Sequence, residues 1–448
     1  MKKVLLSLLF SALLILTAAC ADVLEGYRLV EFPHVNPQPP RPASQYPEAS
    51  NYEELKLILL GFVEMHREYG RIVLNAYDGD IKEDLERAKY EIMNNNPLGA
   101  FAVYEMNSSI VQVFTHIELD IGIEFKRTEH DVAAIVNVES IDELRELLYT
   151  VMLDYALELK IRSSLHGITA DRVIELIRAT YYENPRYLIM MPTIAVATFP
   201  ETGNDKIFEI HFGHIYTPLV LERMATSLIG SVIHNADAAV GDNDAITLLS
   251  LVEILIRVSD FDDGTARALS EHGTQNLATT AFGALVTGSA VGEGFAMAMK
   301  ALCDELGIES SVVLGYLNGK IHAWNLVRLD DNYYHIDAAM ASVYGIETVF
   351  LLSDDELEQL GYVWDRTRFP QASGVLNYEN VRLMVAVYQA QIEAELGVAD
   401  DENEEQNNGL DDVVFDDTGE NDESQNGISN EDDANDDEEE EVENEDDE

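Results

Sequence analysis

Two polar side chains on neighbouring strands are the part of this sequence best suited to chemistry. His322 lies in the segment Ile321–Leu329, and Asp337 ends the segment Tyr333–Asp337. Residues 330–332 are Asp, Asp and Asn, which predict a tight turn between two antiparallel strands. A histidine and an aspartate on adjacent strands can lie side by side. That is the arrangement of a general base and the carboxylate that orients it.

The stretch before this hairpin predicts the element that would present a nucleophile. Gly292 and Gly294 precede the apolar run Phe295–Leu302, and Gly307 follows it, which predicts a buried helix. The β-branched segment Ser311–Tyr316 then predicts a third strand. A nucleophilic Cys or Ser is expected where the helix starts, because a helix N-terminus lowers the pKa of a thiol.

Several spaced motifs in this region resemble the transglutaminase-like family, which is related to the papain-like cysteine proteases. In chain order they are Ser289-Ala-Val-Gly-Glu-Gly-Phe-Ala296, Gly307-Ile308, His322-Ala-Trp-Asn325 and His335-Ile-Asp337, followed by a C-terminal part in residues 350–370. The resemblance covers roughly residues 183–373. It implies a papain-like domain with a central helix packed on an antiparallel sheet. It also implies that His322 and Asp337 stand at the positions of the family's catalytic His and Asp.

The family's nucleophilic Cys falls on Gly292 in this chain. Glycine has no side chain, so only remnants of a nucleophile triad are left. Cys303 lies in the middle of the predicted buried helix, and Ser289 lies three residues before Gly292. Neither is a good substitute, because a buried structural Cys is inert and the Ser comes too early. We therefore expect a pseudoenzyme. The alternative is an active cysteine- or serine-type peptidase or acyltransferase with a relocated nucleophile.

Three further residues border the expected site. Trp324 would wall the groove, Glu293 adjoins the nucleophile position and could form an acid/base pair with His322, and Gly294 would leave backbone N–H groups bare at a helix start. Bare N–H groups could bind a carboxylate or carbonyl of a peptide, a cell-wall fragment or a partner protein. A structural surface module whose groove binds nothing is the remaining alternative.

The N-terminal segment predicts export and a lipid anchor. Lys2 and Lys3 precede an apolar run, residues 4–16, that is too short for a confident transmembrane helix. Leu16-Thr-Ala-Ala-Cys20 resembles a bacterial lipobox. We expect removal of residues 1–19 as a lipoprotein signal peptide and a lipid on Cys20, which would hold the chain at the extracellular face of the cell membrane. Ordinary secretion after cleavage at Ala21 is the alternative.

The body of the chain predicts an α+β fold in two domains. Residues 20–50 are a Pro-rich spacer, 51–165 an N-terminal α+β domain, 166–397 the transglutaminase-like domain and 398–448 a disordered acidic tail. The formal net charge is −55, which argues against nucleic acid and against adhesion to anionic lipid. Within the tail, the apolar patch Leu410–Phe415 could be a short docking motif.

No metal or cofactor is expected. The sequence has no HExxH, paired CxxC, EF-hand loop or strand–GxGxxG–helix pattern. Cys20 and Cys303 are its two cysteines, so no internal disulfide framework is possible. His211 and His214 are better interpreted as half-exposed strand histidines than as metal ligands.

Overall fold

A computed structural model describes residues 45–113, 116–272 and 276–407 of the chain. The predicted signal peptide, Cys20, most of the Pro-rich spacer and the tail from residue 408 lie outside the described residues. Among the described residues, those up to Val381 belong to one compact unit and those from Arg382 belong to a second. Within the described residues, no helix is long and apolar enough to cross a bilayer.

The first part of the chain is a four-stranded sheet covered by helices. Its elements are β1 (Glu48–Ala49), α1 (Tyr52–Glu64), β2 (Tyr69–Leu74), α2 (Ile81–Asn95), α3 (Pro97–Ala102), β3 (Val103–Val113) and β4 (His116–Phe125). The strand order is β1-β2-β4-β3, with β1 parallel to β2 and the other pairs antiparallel. Leu55, Leu59 and Leu85 of the helices share a core with Ile72 and Leu119 of the sheet.

The next part repeats this topology. Its elements are α4 (Glu129–Ala133), β5 (Ile135–Asn137), α5 (Ile141–Leu153), β6 (Glu158–Ser163), α6 (Ala170–Glu183), β7 (Thr193–Phe199) and β8 (Lys206–Gly213). The strand order is β5-β6-β8-β7, again with the first pair parallel.

The two sheets are tandem repeats separated by a constant offset along the chain. Asn51 and Ser140 cap the first long helix of each sheet. His66 and Tyr155 take positive φ angles of 48° and 50° just after that helix. Both pairs are 89 residues apart.

The predicted boundary between residues 165 and 166 is corrected, because β6 and β8 on either side of it are hydrogen-bonded in one sheet.

The third part contains the predicted central helix. Its elements are α7 (Pro218–Ala239), α8 (Asp244–Val258), β9 (Asp260–Phe261), α9 (Asp263–His272), β10 (Ser289–Ala290), α10 (Gly292–Glu305), β11 (Ser310–Leu317), β12 (Lys320–Leu329), β13 (Asn332–Ile336), α11 (Ala338–Tyr344), β14 (Phe350–Leu352), α12 (Asp354–Gln359) and β15 (Tyr362–Trp364). The order β14-β13-β12-β11-β15 makes an antiparallel sheet. Phe295, Met297, Met299 and Leu302 of α10 are fully buried. The expected α+β class, with a central helix packed on an antiparallel sheet, is therefore confirmed.

One last helix, α13, spans Tyr378–Asn407. It continues past residue 398, where the sequence predicted the disordered tail to begin. The segment that follows Gln391 is rich in Glu and Ala and contains no proline. Glu and Ala have high helix propensity, which accounts for the difference at this boundary.

Candidate active site

The side chains of His322 and Asp337 meet inside the third part of the chain. His322 lies on β12. Asp337 follows β13 and caps α11, where its Oδ1 accepts a hydrogen bond from the Met340 amide at 2.9 Å. The antiparallel register that sets Asn325 opposite Ile336 brings the two side chains together. His322 Nε2 lies 2.6 Å from Asp337 Oδ2, and the two residues are 9% and 1% exposed. The contact that the hairpin predicted is present.

Tyr362 on β15 fixes the same carboxylate from the other side. Its hydroxyl donates to Asp337 Oδ2 at 2.6 Å. Burial and the neighbouring Asp337 raise the pKa of Tyr362, which keeps it a hydrogen-bond donor. A carboxylate oxygen accepts hydrogen bonds, so His322 Nε2 is the donor in the contact with Asp337. In the sequence, Tyr362 falls within the C-terminal part of the family resemblance, but no role in the site was predicted for it.

His322 Nδ1 faces Gly292, the first residue of α10. A β-carbon built on Gly292 would lie 2.4 Å from Nδ1 and 2.5 Å from Cε1 of His322, and 3.2 Å from the carbonyl oxygen of Ala323. The first two distances are well inside van der Waals contact. The imidazole therefore occupies the space that a side chain on residue 292 would need.

Trp324 lies beneath the site and not along a groove wall. It is 1% exposed, lies 6.3 Å from the His322 ring and packs edge-on against Tyr362 at 5.0 Å. Its Nε1–H donates to His335 Nδ1 at 3.1 Å, and His335 Nε2 contacts Asp354 Oδ1 at 2.9 Å. The prediction that Trp324 walls a groove is corrected, because the side chains of Tyr362 and Trp364 pack against it and leave it almost no exposed surface.

Glu293 and Gly294 make packing contacts at the start of α10. Glu293 Oε1 accepts a hydrogen bond from Tyr182 of α6 at 2.8 Å, so its observed partner is a tyrosine and not His322. Burial raises the pKa of Glu293 to about 7, although the Tyr182 bond opposes the shift. A β-carbon on the buried Gly294 would lie 2.3 Å from the carbonyl oxygen of Ala278. Another backbone segment therefore packs against the α-carbon of Gly294, and the prediction that N–H groups at this helix start bind a ligand stays a prediction.

The two alternative nucleophiles are not positioned to react through His322. Cys303 is fully buried, and burial raises the pKa of its thiol to about 12. It lies about 16 Å along α10 from Gly292. Ser289 belongs to β10, which pairs with β9 at Asp260, and no hydrogen bond joins Ser289 to His322.

No described part of the chain offers an evident metal site. Among the described residues, no group of three or more His, Cys, Asp or Glu side chains could hold an ion. The side chain of His211 is 53% exposed on β8. His214 Nε2 contacts the carbonyl oxygen of Ala156 at 3.2 Å. Both histidines therefore have the surroundings of ordinary surface residues.

The segment that builds this site also matches a known family. Residues 260–338 match the family model of the transglutaminase-like superfamily. The chain carries a transglutaminase-like domain. The matched residues run from β9 to the start of α11, so Gly292, His322 and Asp337 all belong to the transglutaminase-like segment.

Two solved structures are weakly similar to this chain. A crystal structure of a TGase matches with a TM-score of 0.25 and 12% identity, over 49% of this chain and 60% of the other. A structure described as a candidate cysteine protease from Cytophaga hutchinsonii matches with a TM-score of 0.21 and 15% identity, over 38% of this chain and 66% of the other. The chain thus spans less than two thirds of either structure, and similarities of this size carry no functional argument. No curated protein matches the sequence.

Proposed function

We propose that the transglutaminase-like domain is a non-catalytic binding module of a lipid-anchored protein on the bacterial cell surface. The observation that carries the non-catalytic part is Gly292. This position has no side chain to attack a carbonyl, and the His322 ring lies where that side chain would start. The retained contacts among His322, Asp337 and Tyr362 then shape the site without activating a nucleophile.

An exposed apolar strip on the same sheet, on the face opposite the His322 side chain, supports a ligand with apolar groups. Ile321 directly precedes His322 and is largely exposed, as are Tyr316 and Val363. Tyr316 stands opposite both Ile321 and Val363 across the sheet, so the three side chains form one continuous apolar strip. An extended peptide, from a protein or from the cell wall, would cover this strip with its side chains and leave its backbone polar groups at the rim.

Turnover measurements test the non-catalytic assignment. Amine incorporation and peptide hydrolysis are measured for wild type, Gly292→Cys and Gly292→Cys with His322→Ala. We expect wild type to be silent, because it lacks a nucleophile, and any activity gained by Gly292→Cys to disappear with His322→Ala. Wild-type turnover that is lost in Cys303→Ser or Ser289→Ala would overturn the proposal in favour of a relocated nucleophile.

A thiol reagent directed at active-site cysteines gives an independent test. Cys303 is fully buried and the pKa of its thiol is about 12, so we expect no labelling at this residue in the native chain. Labelling should become complete once the chain is unfolded. Rapid labelling of native Cys303 would mean that its thiol is exposed and activated, contrary to the proposal.

The proposed anchor is tested at Cys20. The basic residues Lys2 and Lys3, the apolar run and the lipobox-like Leu16–Cys20 support it. Expressed in a bacterium, the chain should incorporate labelled fatty acid and enter the detergent phase, and Cys20→Ser should do neither. A mature chain that begins at Asp22 without lipid would support ordinary secretion instead.

A further inference from the structure

The strand β3 exposes one whole side at the edge of the first sheet. It pairs with β4 along one side, and it is last in the strand order β1-β2-β4-β3. Among the described residues, no strand pairs with its other side. Residues 109–113 are exposed at every position, and they include Ile110, Val111 and Val113. The outward N–H and C=O groups of this edge can therefore pair with another extended chain.

Soluble proteins usually protect such an edge. Common devices are short strands, charged side chains, especially Lys, and proline. β3 is 11 residues long and contains neither lysine nor proline. Its one charged residue, Glu105, lies near its beginning, far from the apolar end. A long, almost uncharged edge is exceptional in a chain with a net charge of −55.

The second repeat shows what covers the equivalent edge there. β7 holds the position that β3 holds in the first repeat, but it is only 7 residues long and is mostly half-buried. Its Phe199 packs edge-on against Phe101 of the first repeat at 5.6 Å. The last residue of the β7 edge is thus packed inside the molecule, whereas residues 109–113 at the equivalent edge of the first repeat are exposed.

We propose that β3 pairs antiparallel with β3 of a second copy of this chain, so that the two first sheets become continuous across a two-fold axis. Pairing centred on Ser109 sets Asn107 opposite Val111 and Glu105 opposite Val113. No two carboxylates then face each other across the new strand pair. A near-neutral strip is also the part of this acidic chain that two copies can bring together with the least repulsion.

This dimer should tighten as salt is added. The remainder of each copy is strongly acidic, so the two copies repel each other until counter-ions screen the charge. Backbone hydrogen bonds and apolar contacts along β3 depend little on salt. Attraction between oppositely charged surfaces would show the reverse dependence. The direction of the salt effect therefore separates β3 pairing from an electrostatic contact.

Sedimentation equilibrium of the full chain at about 0.05 and about 0.5 M salt measures the association. We expect a monomer–dimer equilibrium whose Kd falls as salt rises. Val111→Lys should raise Kd at least about tenfold, because it places a charge at the paired edge of both copies. Val136→Lys is the matched control. Both valines are 40% exposed strand residues, but Val136 lies on the three-residue strand β5.

Circular dichroism melting verifies that both variants fold, and Gln112→Lys replaces Val111→Lys if the latter does not. A chain that stays monomeric up to about 100 μM at both salt concentrations would overturn the proposal. So would a dimer that Val111→Lys and Val136→Lys weaken equally. Capture of a labelled β3 peptide by a chain that remains monomeric would assign the edge to a foreign strand, which also contradicts pairing between copies.

Discussion

Glu293 is the titratable residue that directly follows Gly292. Its carboxyl group is buried against Tyr182, and burial raises the pKa of Glu293 from 4.5 to about 7. The folded chain therefore keeps this proton at pH values where the unfolded chain has released it. The stability contributed by the protonated carboxyl is fully present below about pH 4.5 and is lost as pH rises through about 7.

Glu293→Gln should remove this part of the pH dependence. The amide still accepts from Tyr182 but does not ionise, so the loss of stability between pH 5 and pH 8 should shrink by an amount on the order of 2 kcal/mol. Urea unfolding across this range measures the difference. Glu146→Gln, at an exposed position on α5, is the control and should leave the profile as in wild type. Identical profiles for wild type and Glu293→Gln would contradict a raised pKa.

At the residue scale, the spacing of residues along the sequence was sufficient to predict part of the site. The turn between two strands predicted that His322 lies beside Asp337, and this contact is observed. The assignment of Gly292 to the family's nucleophile position stays a prediction. Tyr182 and Glu293 are 111 residues apart, and no local pattern signals their contact. Alternation along β12 shows that His322 and Trp324 share a face, but not that the side chains of Tyr362 and Trp364 bury Trp324 there.

At the scale of the elements, two buried hydrogen bonds, which we call the relay, connect the strands β12 and β13 to α12. Trp324 Nε1 donates to His335 Nδ1, so His335 is neutral and its Nε2–H donates to Asp354. Burial lowers the pKa of His335 below its ordinary 6.5, although Asp354 opposes the shift. The unfolded chain then takes up the proton more readily. The stability from neutral His335 is fully present above about pH 6.5 and is lost as pH falls below it.

His335→Gln should reduce the loss of unfolding free energy that occurs as the pH falls from 7 to 5. Wild type should lose more stability than the variant between pH 7 and pH 5, because only wild type must resist protonation at this position. Guanidinium unfolding at several pH values gives the slopes. His166→Gln, at an exposed position outside the relay, should keep the wild-type slope. A His335→Gln slope as steep as that of wild type would show that this histidine is not the titrating group.

At the element scale, helices and strands with a long apolar or β-branched pattern were predicted correctly from the sequence. Short elements were not. The apolar run of α10 and the β-branched runs of β11 to β13 were found in the expected places. β14 and β15 have three residues each, too few for alternation to be visible. The pattern of residues 101–104 predicts a strand, but the Asn96 cap and Pro97 start a short helix, α3, that ends at Ala102.

On the scale of the whole molecule, one buried ion pair joins the two repeats. Arg127, which follows β4, contacts Glu209 of β8 through two bonds, of 3.2 Å from Nε to Oε1 and 2.6 Å from Nη2 to Oε2. Glu209 is buried, so removal of Arg127 takes away its two-bond partner and leaves His211 Nε2, 3.9 Å from Oε2, as a weaker contact. Arg162 and Asp205 form a similar two-bond pair within the second repeat, but both side chains are about 40% exposed.

Arg127→Met should therefore lower the free energy of unfolding by about 1–3 kcal/mol. Arg162→Met is the matched control and should cost less than about 1 kcal/mol, because water replaces the arginine at an exposed carboxylate. Denaturant unfolding of both variants measures the contrast. Equal losses for the two substitutions would mean that the contact between the repeats adds nothing beyond an ordinary surface pair.

The repeat was not recognised from the sequence because few equivalent residues are identical. Leu55 and Leu144, like Leu59 and Leu148, are identical at the offset of 89, but most other positions conserve only burial. A sheet can keep its topology while its side chains change, provided that the apolar pattern is kept. The domain boundary was misplaced for the same reason, since it was set by composition and not by strand pairing.

The position of the His322 ring against Gly292 can be measured through stability. At an open helical position, Gly→Ala raises stability by up to about 1 kcal/mol. Because the new β-carbon would overlap Nδ1 of His322, we expect Gly292→Ala to lower the free energy of unfolding by about 1–3 kcal/mol instead. In the His322→Ala background the ring is gone, and the same substitution should cost at least about 1 kcal/mol less. If Gly292→Ala is neutral or stabilising in both backgrounds, the imidazole of His322 does not occupy the space next to Gly292.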